Sequence, residues 1–342
     1  VSSKVEDIMG LQRDIIAVRM PWQNEQWHRI IDLHGAERLP HAFLLAGSPG
    51  TGKHRFLLSL CHYLMCQAPL AGAACGKCRQ CQLLATGDHP DLKWLAPEEK
   101  SRQIKVDQVR AVVEFLSHTS QQGGYKIGVI TPAEAMNINA ANALLKSLEE
   151  PSDKTLLFLV SDSPGQLLPT IRSRCQQVSF PVPPEEESLQ WLSTVVPGQA
   201  ETNALLREAS GQPLTALDLL SNDGLERRKQ LDGDYRVVLG GSASPLVIAE
   251  KWLEYDLEEV LVRLIVLLTR LIKIKIVPSP LAAATNEEDS WYKLSQNVDI
   301  RDVYSLLDSI HSIRNAINRG ATPNRQLVLE QILFDSCEKF NI

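Results

Sequence analysis

Two groups of residues have types and spacings that could do chemistry. The first is Gly47-Ser48-Pro49-Gly50-Thr51-Gly52-Lys53-His54, which follows an apolar run, His41 to Ala46, and precedes a helical pattern from Arg55 to Met65. A strand, a glycine loop and a helix in this order form a phosphate cradle: the glycines let backbone N–H groups turn inward, and a lysine adds a point charge. The pattern GxxxxGK is complete, so Gly47, Gly50, Thr51, Gly52 and Lys53 could hold the phosphates of ATP or ADP. His54 stands where a Ser or Thr hydroxyl would ligate Mg²⁺, and imidazole suits that hard, oxygen-seeking ion poorly. The loop therefore keeps the groups that hold phosphates and lacks one that positions the metal. The bland alternative is a glycine-rich strand-to-helix turn with no ligand.

The second group is Cys66, Cys75, Cys78 and Cys81, in the order C-x8-C-x2-C-x2-C. Four thiols this close can place their sulfurs at the corners of a tetrahedron about 2.3 Å from a Zn²⁺. No further ligand position is evident, so the reading is a closed, structural zinc site that staples a loop too polar and short to build a core. Disulfides are the weaker explanation in a cytosolic chain. A nucleic-acid-reading zinc module is the functional rival, but Lys77 and Arg79 make a thin basic patch. Cys61, Cys175 and Cys337 lack metal-ligand spacing and read as small core residues.

Composition bounds the rest. The chain has 342 residues, 44% hydrophobic and 22% charged, enough for a large core and two or three domains. Thirty-five Lys and Arg face 41 Asp and Glu, a formal charge of −6, so DNA contact would be local or shared with partners. Glu6, Asp7, Arg13 and Asp14 interrupt the N-terminus, which offers no apolar core for a secretory signal. A cytoplasmic location is expected. Patterned sequence starts only after Met20, so residues 1–20 read as a leader or non-native extension. The run from Leu257 to Val277 is apolar enough to suggest a membrane span, but Glu258, Glu259, Arg263, Arg270, Lys273 and Lys275 break it, and it reads as a buried amphipathic helix.

The elements that would position the motifs can be taken in order. A helix is expected from Pro21 to about Gly35, then the strand and phosphate loop, then a helix to about Cys66. Residues 91–97 read as a short strand, 106–118 as an amphipathic helix and 125–131 as a buried central strand. Where such a strand would end in an Asp for the Mg²⁺ shell, it ends in Thr131 and Pro132, and Glu134 lies past the proline, too far on to substitute. A helix at 137–150, a strand at 156–160 and a final short strand before Pro181 complete an α/β unit with a parallel sheet and helices on both faces. Pro181-Val182-Pro183-Pro184 is the clearest linker, and beyond it the patterns are helical. The expected fold class is α/β plus all-α: a P-loop domain with a zinc-binding insert (21–181, insert 66–81), a small helical domain (182–224) and a larger helical domain (225–342).

The motifs together resemble the AAA+ superfamily and, within it, the clamp-loader subunits of bacterial DNA polymerase III. They are GSPGTGKH at 47–54, the four cysteines, ANALLKSLEEP at 141–151 and LLPTIRSRC at 167–175. The specific resemblance spans roughly Pro21 to Phe180, and the helical remainder matches in size and order alone.

The resemblance implies that the last domain joins a collar in a heteropentamer with gamma or tau motor subunits and a delta subunit, acting on the sliding clamp and primed DNA during DNA replication. It also implies an arginine finger at Arg174, within Ser173-Arg174-Cys175, reaching the γ-phosphate of a neighbour's ATP. Guanidinium suits that role because it is always charged and can grip two phosphate oxygens. Arg172 is assigned to structure. Hydrolysing relatives are expected to carry a hydroxyl at position 54, a carboxylate at 131 with a second acid beside it, and a lid arginine in Gly-Ser-x-Arg. Here those positions hold His54, Thr131, Pro132 and, in Gly211-Gln212-Pro213-Leu214, a leucine. The chain is thus expected not to be an independent ATPase, the polymerase activity of the holoenzyme lying in another subunit. Two rivals stand beside it: an active motor subunit that recruits another acid for Mg²⁺, and a zinc-dependent adaptor with a vestigial loop.

Overall fold

Five parallel strands, β1 (Ala42–Ala46), β2 (Leu92–Leu95), β3 (Lys126–Ile130), β4 (Thr155–Ser161) and β5 (Gln176–Ser179), make one sheet in the order β2-β3-β4-β1-β5. The structure is a computed structural model that describes residues 18–98, 101–196, 198–221, 224–276, 286–318 and 320–340. Most of the expected leader, residues 1–17, lies outside the described residues, as does the polar stretch at 277–285.

β1 sits between β4 and β5, with Leu44 opposite Leu159 on one side and Gln177 on the other. Every residue of β1, β3 and β4 is buried, because helices cover both faces. Helices α1 (Asn24–Gly35) and α2 (Lys53–Met65) pack Trp27, Phe56 and Leu60 against Phe43, Leu45, Val129 and Phe158. The Phe43 and Phe158 rings stack at 5.3 Å between centroids. After the short α3 (Arg79–Ala85), α4 (Val106–Ser117) and α5 (Ile138–Glu149) cover the opposite face, packing Val112, Leu116, Leu144 and Leu148 against Leu44, Ile130, Leu157 and Leu159. A Cβ at Gly128 would lie 3.1 Å from Val112 and Leu116, so the glycine lets α4 lie close on β3. Asn137 starts α5 by accepting the Ala140 N–H at 2.8 Å, satisfying an otherwise unpaired helix donor.

A four-residue turn of helix, α6 (Pro169–Arg172), leads into β5, and α7 (Glu185–Val195), α8 (Gln199–Glu208) and α9 (Pro213–Ser221) follow the proline linker. By backbone contacts the chain divides into two units, 1–222 and 223–342. The described part of the second unit is helical: α10 (Gly224–Leu239), α11 (Pro245–Trp252), α12 (Leu257–Ile276), α13 (Asn286–Asn297), α14 (Ile300–Asn318) and α15 (Arg325–Lys339). Tyr235, Trp252, Leu264, Leu268, Leu306 and Ile332 form its core. Helix α12 is amphipathic, and no described helix is long and apolar enough to cross a membrane. Arg263, on its buried side, is paired with the Asp232 carboxylate on α10. That pairing lets a charge stay inside the helical core. The parallel sheet with helices on both faces, followed by helices alone, is the fold class expected from the sequence. Of the three cysteines read as core residues, Cys61 is buried, whereas Cys175 and Cys337 are half-buried.

Candidate functional site

The phosphate loop lies where β1 runs out of the sheet, and each glycine has a steric reason to be there. A Cβ on Gly47 would sit 2.1 Å from the Phe180 carbonyl oxygen, closer than any side chain allows. Gly50 and Gly52 have left-handed backbones, with φ of +69° and +89°. A Cβ on Gly50 would also lie 2.2 Å from the Thr215 hydroxyl of α9, and the Gly50 carbonyl accepts the Leu214 N–H at 3.2 Å. Leucine at the expected position of a lid arginine thus rests on the loop. Thr51 is fully buried, its carbonyl accepting from Trp22 Nε1 and Gln23 Nε2, each at 3.0 Å.

Lys53, at the start of α2, has a side chain only 2% exposed. Its Nζ donates to the Gly47 carbonyl at 2.6 Å and the Ser48 carbonyl at 2.7 Å, and pairs with Asp162 Oδ1 at 2.6 Å. An ammonium has three N–H groups, and these three acceptors use all of them. In this arrangement every N–H of the lysine is engaged within the chain, by two loop carbonyls and one carboxylate.

The positions expected to hold Mg²⁺ are bonded to each other. His54 Nε2 lies 2.7 Å from Thr131 Oγ1, which pairs the helix start with the end of β3. Burial pushes the His54 imidazole below its ordinary pKa; nearby Asp162 opposes that shift, and the Lys53 ammonium reinforces it. Glu134 is engaged elsewhere, its Oε1 accepting the N–H groups of Asp162 at 2.9 Å and Ser163 at 3.0 Å and so fixing the turn after β4.

Arg174, just past α6, is exposed. Its Nη1 donates to the Thr170 carbonyl at 3.0 Å, and its Nη2 pairs with Glu149 Oε1 at 2.6 Å at the end of α5. Guanidinium has five N–H groups, so two anchors leave most of the fork available. Arg172, expected to serve structure, is exposed as well.

Cys66, Cys75, Cys78 and Cys81 come together with all four sulfurs within 4.8 Å of one another. Cys66 and Cys78 are 4.0 Å apart and Cys78 and Cys81 3.5 Å, near the roughly 3.8 Å edge of a tetrahedron with zinc–sulfur bonds of about 2.3 Å. Local backbone geometry builds the cluster. Leu70 and Ala73 pair across a two-residue turn, Gly76 takes a φ of +68°, and the N–H groups of Cys75 and Cys78 donate to the sulfurs of Cys66 and Cys75 at 3.2 and 3.3 Å. Burial raises the Cys66 and Cys81 thiols. Backbone N–H groups of Lys77 and Cys78 lower Cys75; at Cys78 burial pushes upward, but N–H and thiol hydrogen bonds bring it to about 6. The donor set, spacing and N–H···S bonds fit a tetrahedral thiolate-bound metal such as zinc.

A buried polar network ties this insert to the sheet. Gln80 on α3 hydrogen-bonds His89 at 2.8 Å and Gln122 at 3.1 Å, and the Gln122 N–H in turn reaches Asp91 at 2.9 Å. Asp91 pairs with Lys126 of β3 at 3.3 Å. Sequence reasoning singled out neither this network nor the contacts made by Asp162 and Glu149, and only the Ser161-Asp162-Ser163-Pro164 turn signal marks the place of one of them.

The chain is similar to several known proteins. The family described as "DNA polymerase III, delta subunit" matches residues 22–184. The DNA polymerase III subunit delta' of Pseudomonas aeruginosa is 46% identical over 234 residues, 68% of this chain and 70% of the relative. The subunit of the same name from Escherichia coli K12 is 40% identical over 62% of this chain and 64% of its own length. Among solved structures, a DNA polymerase III gamma subunit-related protein from Thermotoga maritima covers 94% of this chain and 100% of its own, at 21% identity and a TM-score of 0.45.

Proposed function

Since the chain belongs to the family of DNA polymerase III delta prime subunits, we propose that it is a non-hydrolysing clamp-loader subunit whose Arg174 completes the ATP site of a neighbouring motor subunit. The observation that carries this reading is an asymmetry. Arg174 is held at the surface by Glu149 and Thr170 with most of its fork free, while His54 and Thr131 are bonded to each other where a metal shell would be.

The chemistry follows from that placement. When a γ-phosphoryl group leaves ATP, negative charge spreads over its oxygens, and a fixed guanidinium offers them two parallel N–H donors. Holding the long arginine side chain with Glu149 limits the rotamer freedom lost when the phosphate is met. An arginine supplied across an interface is worth roughly 10³- to 10⁵-fold in rate. With imidazole and a threonine hydroxyl engaged in place of the Mg²⁺ ligands, this chain's own loop lacks the metal ligands that would help neutralise that charge.

On this reading residues 21–181 form the P-loop domain, 182–224 the lid and 225–342 a collar domain that joins motor subunits and a delta subunit in a heteropentamer. ATP turnover there would be coupled to placing the sliding clamp on primed DNA. Cys66, Cys75, Cys78 and Cys81 would hold zinc as a staple for the insert, with no part in the reaction.

The reading is tested by Arg174→Ala in a complex reconstituted with the motor and delta subunits. Assembly by gel filtration is expected to be unchanged, and clamp- and DNA-stimulated ATPase to fall by tenfold or more, with kcat affected rather than KM. Full ATPase from an intact Arg174→Ala complex refutes the role.

A further inference from the structure

The phosphate loop is filled from within. Three acceptors meet the Lys53 ammonium, and they differ in kind. The Gly47 and Ser48 carbonyls belong to the loop itself and are neutral. Asp162 is the charged one, and it comes from the turn after β4, a neighbouring strand of the sheet. An ammonium that is 2% exposed needs an anion beside it, because an unpaired charge taken out of water is strongly disfavoured. In a loop of this shape the anion could be a phosphate or a carboxylate.

We infer that Asp162 is a tethered ligand of the phosphate loop, a carboxylate occupying the place on Lys53 where a nucleoside di- or triphosphate would bind. Its grip is built in. Glu134 Oε1 accepts the backbone N–H of both Asp162 and Ser163, which holds the turn so that the carboxylate faces the lysine. The Asp162 side chain keeps 41% of its surface exposed, so the pair closes the cradle from its solvent side and does not lie deep in the core. A carboxylate in the same chain, already oriented, competes at an effective concentration that free nucleotide does not reach. The glycine loop below it remains intact, with Gly50 and Gly52 in the left-handed conformations that turn N–H groups inward. The cradle is therefore latent, closed chiefly by one carboxylate.

This inference stands apart from the role of Arg174, which lies on another segment. Asp162→Asn keeps the side-chain shape and the backbone N–H bonds to Glu134 but removes the charge that satisfies Lys53. Equilibrium dialysis of the full-length chain with labelled ADP and labelled ATP, with and without Mg²⁺, tests it. Wild type is expected to show no saturable binding across the millimolar range. Asp162→Asn should bind one nucleotide per chain, at least tenfold tighter than the wild-type limit, and Lys53→Ala on top of Asp162→Asn should abolish it. Asp162→Ala is the second variant, to be used if the asparagine protein does not fold; it should bind in the same way. The bound ATP should not be hydrolysed, because His54 and Thr131 are unchanged. Hydrolysis there would count against the non-hydrolysing reading and leave the tethered-ligand inference standing. Wild-type binding as tight as that of the variant, or no binding by either folded variant, overturns the inference.

Discussion

At the level of single residues, a few side chains have environments that dictate what a substitution does. His62 on α2 is 2% exposed, and burial, with His89 acting in the same direction, pushes its imidazole down to about 4. A histidine that takes up a proton more readily in the unfolded chain supports folding fully above its unfolded pKa of about 6.5, and that support drains away as pH falls towards the folded value. Stability should drop by about 2 kcal/mol from this residue between about pH 6.5 and about pH 5. Urea unfolding of wild type and His62→Leu at those pH values checks it: stability of the variant should fall less steeply with pH, and equal falls would contradict the assignment. Gly47 gives a steric counterpart. With a Cβ 2.1 Å from the Phe180 carbonyl, Gly47→Ala should destabilise by about 3 kcal/mol, read as a lower denaturation midpoint at unchanged slope. The Gly-Lys pattern that frames this site is visible in sequence because its residues are adjacent. The partner of Lys53 is not visible, since Asp162 follows β4, next to β1 in the sheet but more than a hundred residues on in the chain, and its turn looks like any other Ser-Asp-Ser-Pro turn.

Among the elements, the cysteine insert depends most on something other than packing. Its backbone folds through a two-residue turn and N–H···S bonds, and Leu70 at its tip is 77% exposed. Metal analysis should find about one zinc per chain, and a strong chelator should lower the melting temperature without unfolding the helical second unit. Full retention of stability after chelation to under about a tenth of an equivalent would mean the cysteines hold no structural metal. The spacing of Cys66, Cys75, Cys78 and Cys81 made this cluster legible from sequence, since four close thiols have few other uses. The strands were legible for a related reason: β1, β3 and β4 are buried on both faces, so they read as unbroken apolar runs. Strand β2 gave a weaker signal, three of its four residues being only half-buried. The Gln80–His89–Asp91–Lys126 connection was not legible, because pairing between buried polar groups leaves no periodicity.

The whole chain holds two units, each with its own core: one built on the parallel sheet and one all-helical in its described part. Calorimetry should accordingly resolve two transitions, with chelation moving only that of the sheet-bearing unit; a single transition displaced as a whole would contradict this. A net charge of −6 is in keeping with the proposal that any contact with DNA is shared with other subunits. The central claim is that the chain gives an arginine to another subunit's nucleotide and cleaves none itself. It is tested most directly by ATPase rates measured for this chain alone, for a purified motor subunit alone, and for the two mixed with delta subunit, clamp and primed DNA. No turnover by this chain, and a rate for the mixture well above that of the motor, is the result predicted. Turnover by this chain alone that is lost in Lys53→Ala, or a mixture no faster than the motor, would contradict it.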